Sequence, residues 1–212
     1  MSEETGLRER KKQRTRRALS ETAIELFLKR GFDQVSVADV AAAAEVSKPT
    51  LFRYFPAKED LVLYRIADHQ GESARVVRDR APGVSPLAAL RAHLHARLDA
   101  LDPITGLSGN PAVRAYTDMV YTTPSLLARM VSYTNRDVDE LTAELLAAAP
   151  GADASMTRLA AGQILLAHRH LAHENWRHSS DGPTPKAVLA EAHAAADRAY
   201  DLLTSGLGPS YG

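Results

Sequence analysis

Apolar residues recur through this chain at intervals of three and four, and no stretch combines strict apolar–polar alternation with the β-branched enrichment of a strand. Helices are what bury a stripe with that spacing. The expected fold is therefore all-α, with about nine helices separated by glycine and proline. The first is read over 7–30, where Leu19, Ala23, Leu26 and Phe27 share a face. Gly31 stops it, because glycine adopts the left-handed conformation that a helix end uses, and Phe32 can fold back onto the last turn.

Two short helices follow. Ser36 and Asp39 have the spacing of a capping box ahead of Val37, Val40, Ala41 and Ala44. Ser47 is a second N-cap, with Pro49 in the first turn, where a missing N–H costs little, so a helix is expected over 48–54. A connecting helix is expected over 57–80. The breakers from Ala81 to Pro86 mark a domain boundary, and beyond them helices are expected near 86–101, 110–121, 124–149, 153–179 and 184–205. The chain thus divides into a disordered tail at 1–6, a helix-turn-helix domain at 7–56, the connecting helix, a larger helical domain at 81–206 and a flexible tail at 207–212.

Composition narrows the function. With no cysteine there is no disulfide framework, thiolate metal site or cysteine nucleophile, and a cytoplasmic home is expected. No secretory h-region precedes the first helix, and the apolar run from Leu159 to Ala172 is broken by Gln163, His168, Arg169 and His170, so no membrane partner is expected. The zero net charge conceals an asymmetry: residues 1–80 hold 16 basic and 13 acidic side chains, and residues 81–212 hold 10 and 13. Seven of those basic residues lie between Arg8 and Arg17 beside one Glu. That run reads either as a solvated helix start or as a contact for a polyanion.

Two short helices joined by a tight turn and braced by a longer one can lay the second short helix in a DNA major groove, where its N-terminal residues read base edges. At that position Lys48 is long enough to reach guanine O6 or N7, Thr50 offers a hydroxyl or a methyl, and Pro49 offers an apolar contact suited to a thymine methyl. A helical hairpin with a purely structural role has the same outline. The wider run from Ser36 to Leu61, SVADVAAAAEVSKPTLFRYFPAKEDL, resembles the signature of the TetR family of transcriptional regulators. It matches at Ser36, Val37, Val40, Ala41, Ala44, Val46, Ser47, Leu51, Tyr54, Phe55, Lys58 and Leu61. It departs at Glu45, where the family usually has Gly, and at Phe52, where it usually has Tyr. The first departure means either that the turn needs no left-handed residue or that Glu45 is strained.

The resemblance implies a ligand-responsive repressor, not an enzyme, with no cofactor and with double-stranded operator DNA, a second copy of itself and a small-molecule effector as partners. It places Lys48, Pro49 and Thr50 on the bases, Ser36 and Ser47 at phosphates through their helix starts, and Tyr54 and Lys58 as a backbone clamp, with Arg53, Arg16 and Arg17 as further phosphate contacts. In the last helix Val188, Ala192, Ala195, Ala199 and Leu202 follow a heptad-like spacing that reads as a dimer seam or as internal packing. An effector pocket is expected around Tyr116, Met119, Met130, Tyr133, His168 and Trp176, the aromatic and polarizable groups of an Ala- and Leu-rich domain. The histidines at 168, 170, 173 and 178 leave a second reading open, a helical metal-binding protein or metalloenzyme, although zinc-protease spacing is absent.

Overall fold

A computed structural model of the chain describes residues 2–67, 69–180 and 184–206, the side chains of 2–9 and 67 excepted. Its described residues are helical without strands: α1 (Ser2–Arg30), α2 (Val37–Ala43), α3 (Lys48–Tyr54), α4 (Lys58–Ala67), α5 (Glu72–Arg78), α6 (Pro86–Asp99), a 3-10 turn (Pro103–Thr105), α7 (Pro111–Thr122), α8 (Pro124–Ala148), α9 (Ala154–Ser180) and α10 (Pro185–Ser205). None of these helices is long and apolar enough to cross a membrane. The all-α expectation holds, and two boundaries change. Helix α1 starts at Ser2 rather than after a tail. The tail expected at 207–212 lies outside the described residues.

The second change is in the helix expected over 57–80, which is interrupted between α4 and α5. Gly71 stands at the break with φ 68°, and its N–H donates to Asp137 Oδ1 at 3.0 Å. A Cβ at Gly71 would meet the Glu140 carboxylate, so the residue answers both to backbone conformation and to space.

Two compact units result. The first comprises the chain up to residue 68 together with Asp118–Met130, and the second comprises His69–Thr117 and the chain from Val131 onward. The division falls at residue 68 rather than at the 81–86 breakers because Val77 of α5 packs with Leu90, Val138, Leu141, Ile164 and Tyr200, the core of the second unit.

The core of the first unit is Leu19, Ala23, Ile24 and Phe27 of α1 against Val35, Val40, Leu51, Phe55 and Leu61. Phe27 and Phe32 meet with ring centroids 5.0 Å apart across the Gly31 stop, as the helix-end pattern requires. Asp60, buried at the start of α4, accepts from the Ala57 N–H at 3.1 Å and receives both arms of Arg129 of α8 at 2.9 and 3.0 Å. That two-pronged bond explains why the start of α8 belongs with α4.

In the second unit a polar knot ties α5, α6 and the 3-10 turn. Glu72 accepts from His69 Nδ1 and His93 Nε2, each at 2.9 Å, and from Arg97, which also reaches Asp102 at 2.6 Å. Burial pushes the Glu72 carboxyl up, but the bonds from His69, His93 and Arg97 outweigh it and hold the group far below the usual carboxylate range. Helices α6 and α10 are laced by His95 and His193, whose ring planes agree within 5° and whose Nδ1 atoms lie 2.5 Å apart. The remaining nitrogen of each faces a carboxylate on the opposite helix, Asp197 at 2.8 Å and Asp99 at 2.9 Å.

Candidate nucleic-acid interface

Helix α2 begins where its sequence says it should. Ser36 Oγ accepts the Asp39 N–H at 3.1 Å while the Ser36 N–H donates to Asp39 Oδ2 at 2.8 Å, a complete capping box. The hydroxyl and N–H of Ser36 hold the Asp39 carboxyl below its ordinary pKa. Helix α3 opens on Ser47, whose Oγ accepts the Thr50 N–H at 3.2 Å and lies 2.8 Å from the Thr50 hydroxyl. Between the two helices Glu45 takes φ 53°, the left-handed conformation, so the strained alternative is the one realised.

Helix α3 is thinly anchored: of its seven residues only Leu51 is buried. Lys48 and Pro49 are exposed at its leading end, and Lys48 makes no hydrogen bond or ion pair among the described residues. That leaves an ammonium, a ring and the Thr50 side chain at the leading turn, a set that matches base edges in a major groove. Tyr54 is half-buried at the far end, with the Arg53 guanidinium over its ring at 5.6 Å.

Three basic residues expected at phosphates have partners inside the chain. Lys58 Nζ donates to the Phe32 carbonyl at 2.6 Å and lies 4.2 Å from the Phe32 ring centroid, so it ties α4 to the α1 stop. Arg16 turns inward, donating from Nη2 to the Tyr54 carbonyl at 3.2 Å. Arg17 points outward and pairs with Glu21 at 2.9 Å, an exposed i,i+4 bridge of small energetic weight. A family motif fixes where such side chains start, not which way they run.

The residues expected to line an effector pocket do not fall in one unit: Met119 and Met130 lie in the first, and Tyr116, Tyr133, His168 and Trp176 in the second. His168 Nε2 lies 2.7 Å from the Tyr200 hydroxyl, and burial lowers the His168 pKa to about 4. The seam read in α10 is used partly within the chain, since Ala192 packs with Leu98, Leu107, Leu171 and Ala196, and Val188, Ala195 and Ala199 lean on that cluster. Leu202 stays exposed, and so do Met156, Leu159 and Leu166 of α9. An open groove of about 650 Å³ runs between α9 and α10, bordered by Leu171, Asn175, Val188, Ala195 and Ala199 and by none of the six expected pocket residues. Metal binding at His168–His178 gains no support, because no group of three His, Asp or Glu side chains among the described residues is arranged to hold a metal ion.

Residues 19–64 match the model for bacterial regulatory proteins of the tetR family. The chain is 33% identical over 150 residues to the HTH-type transcriptional regulator TcmR of Streptomyces glaucescens, covering 70% of this chain and 66% of that one. It is 34% identical over 125 residues to the HTH-type transcriptional repressor LfrR of Mycolicibacterium smegmatis, covering 55% and 62%. The matched segments thus span just under two thirds of either relative. Among solved structures, NalD, the secondary repressor of the MexAB-OprM multidrug efflux pump in Pseudomonas aeruginosa, aligns with TM-score 0.57 at 19% identity over 89% of this chain and 96% of that chain. A TetR-family regulator from Streptomyces coelicolor A3 aligns with TM-score 0.54 at 21% identity over 89% and 96%. At those identities the structures share the fold alone, and the match over residues 19–64, which holds the capped pair α2 and α3, leads to one assignment: this part of the chain carries the domain of the TetR family of bacterial regulatory proteins.

Proposed function

We propose that this chain is a transcriptional repressor that grips a pseudo-palindromic operator as a homodimer and releases it when a small molecule binds its second unit. The observation that carries the reading is the leading turn of α3, where Lys48, Pro49 and Thr50 stand beside capped helix starts with Lys48 in no hydrogen bond or ion pair among the described residues. An exposed helix start with a long cation suits a major groove lined by phosphates and guanine acceptors. The relatives named as regulators and repressors support the same reading.

A second copy is the natural cover for α9 and α10. Met156, Leu159 and Leu166 lie at intervals of three and seven along α9, so they share one face, and Leu202 adds to the apolar surface on α10. A two-fold pair places two reading helices about one DNA turn or a multiple apart, which calls for a pseudo-palindromic site. Release follows if the effector binds one arrangement of the helices better than the arrangement that fits DNA. The experiment is selection: the purified chain is mixed with a random-sequence duplex pool, and bound DNA is recovered and sequenced. Enrichment of an inverted repeat supports the reading, and recovery of unenriched sequence contradicts it.

A further inference from the structure

We propose that Arg16 is a specificity-determining positioning residue: it sets the attitude of the reading helix from behind and makes no phosphate contact. The inference rests on the operator-binding reading above. Arg16 leaves α1 and donates from Nη2 to the carbonyl of Tyr54, the last residue of α3, at 3.2 Å. Its guanidinium carbon lies 5.6 Å from the Phe55 ring centroid and 5.9 Å from that of Tyr64. Those two rings pack edge to face at 5.7 Å and 85°, so the cation sits in an aromatic corner. Its Nε is buried and has no hydrogen-bond partner among the described residues. The planar fork therefore faces the protein, where a positive charge also meets the negative end of the α3 dipole.

The position matters because α3 buries one residue of seven. A helix held at its middle by Leu51 alone can rock, and rocking moves Lys48, Pro49 and Thr50 at the far end. Ser47 caps the start within the helix through the Thr50 N–H, whereas Arg16 ties the finish to α1 through the Tyr54 carbonyl. With its start capped and its finish tied, the leading turn presents its side chains at one angle. Loss of the Arg16 pin leaves the charged rim of the domain in place and loosens only that angle.

Phosphate contact and positioning leave different signatures. A lost phosphate contact weakens all DNA alike and lowers the slope of log affinity against log salt by about 0.9 per contact. A loosened reading helix weakens the selected site and leaves both the slope and the affinity for unrelated DNA unchanged. The test is fluorescence anisotropy of the full chain with the duplex that the wild-type chain selects and with a scrambled duplex of equal composition, over a range of salt. Arg16→Gln and Arg16→Lys are compared with wild type, each first checked by circular dichroism. Expected is a loss of preference for the selected duplex of about tenfold or more in Arg16→Gln, a smaller loss in Arg16→Lys, and an unchanged salt slope in both. If Arg16→Gln does not fold, Arg16→Lys carries the same comparison, because it keeps the charge and loses the fork. A parallel fall on both duplexes with a reduced slope, or no change on either, overturns the proposal while leaving operator binding intact. A wild-type chain with no preference overturns the operator-binding reading itself and this inference with it.

Discussion

Glu45 stands in the turn between α2 and α3 at φ 53°, a conformation that costs a residue with a side chain about 1 kcal/mol or more. Glu45→Gly removes that strain and gives back part of the gain through greater freedom of the unfolded chain, so urea unfolding should show a net stabilisation of about 0.5 kcal/mol. His168 gives a test in pH. Its pKa in the folded chain is lowered by burial to about 4 from 6.5, so its contribution to stability is full above 6.5 and is lost as pH falls toward 4. His168→Gln should therefore lose less stability than wild type between neutral pH and pH 4, by about 3 kcal/mol, as read from unfolding curves at each pH. His69 works the other way: its bond to Glu72 raises its pKa, and its contribution is lost as pH rises through that raised value, equally in both proteins. Residue identities in the motif were legible in the sequence, where strain at Glu45 was one of two readings, and the φ of 53° decides for it. The direction of a long side chain was not, because Arg16 and Lys58 find their carbonyls 38 and 26 positions away.

At the scale of elements, caps made the boundaries readable. Ser36 with Asp39 and Ser47 with Pro49 place α2 and α3 to the residue, because each supplies a local partner for a free backbone N–H. The break between α4 and α5 had no such local mark. A lone glycine in a helical pattern is tolerated at about 1 kcal/mol, and what turns Gly71 into a break is its bond to Asp137 and its closeness to Glu140, both distant in sequence. Gly71→Ala forces a side chain into a left-handed position beside the Glu140 carboxylate and should cost about 2 kcal/mol in thermal or urea unfolding. No loss would mean that α4 and α5 can join into one helix. The seam on α10 was readable as a stripe, but periodicity does not say which neighbour covers it. Leu98 and Leu107 partly do, and the exposed apolar face is on α9.

In the proposed whole molecule, a reading helix tied at its finish by Arg16 works beside that of a second copy held through α9 and α10. Charge placed on the exposed face separates the copies: Leu159→Glu with Leu166→Glu should turn a dimer into a monomer in sedimentation while circular dichroism stays helical. A dimer that survives both substitutions places the interface elsewhere. The proposed operator reading by the leading turn of α3 is tested by the affinity of wild type and Lys48→Ala for the selected duplex and for its scrambled counterpart at fixed salt. Expected is a wild-type preference of about a thousandfold or more, and in Lys48→Ala a loss of about tenfold to a hundredfold on the selected duplex that exceeds any loss on the scrambled one. Equal affinity of the wild-type chain for both duplexes, or a Lys48→Ala chain that keeps the full preference, would contradict it.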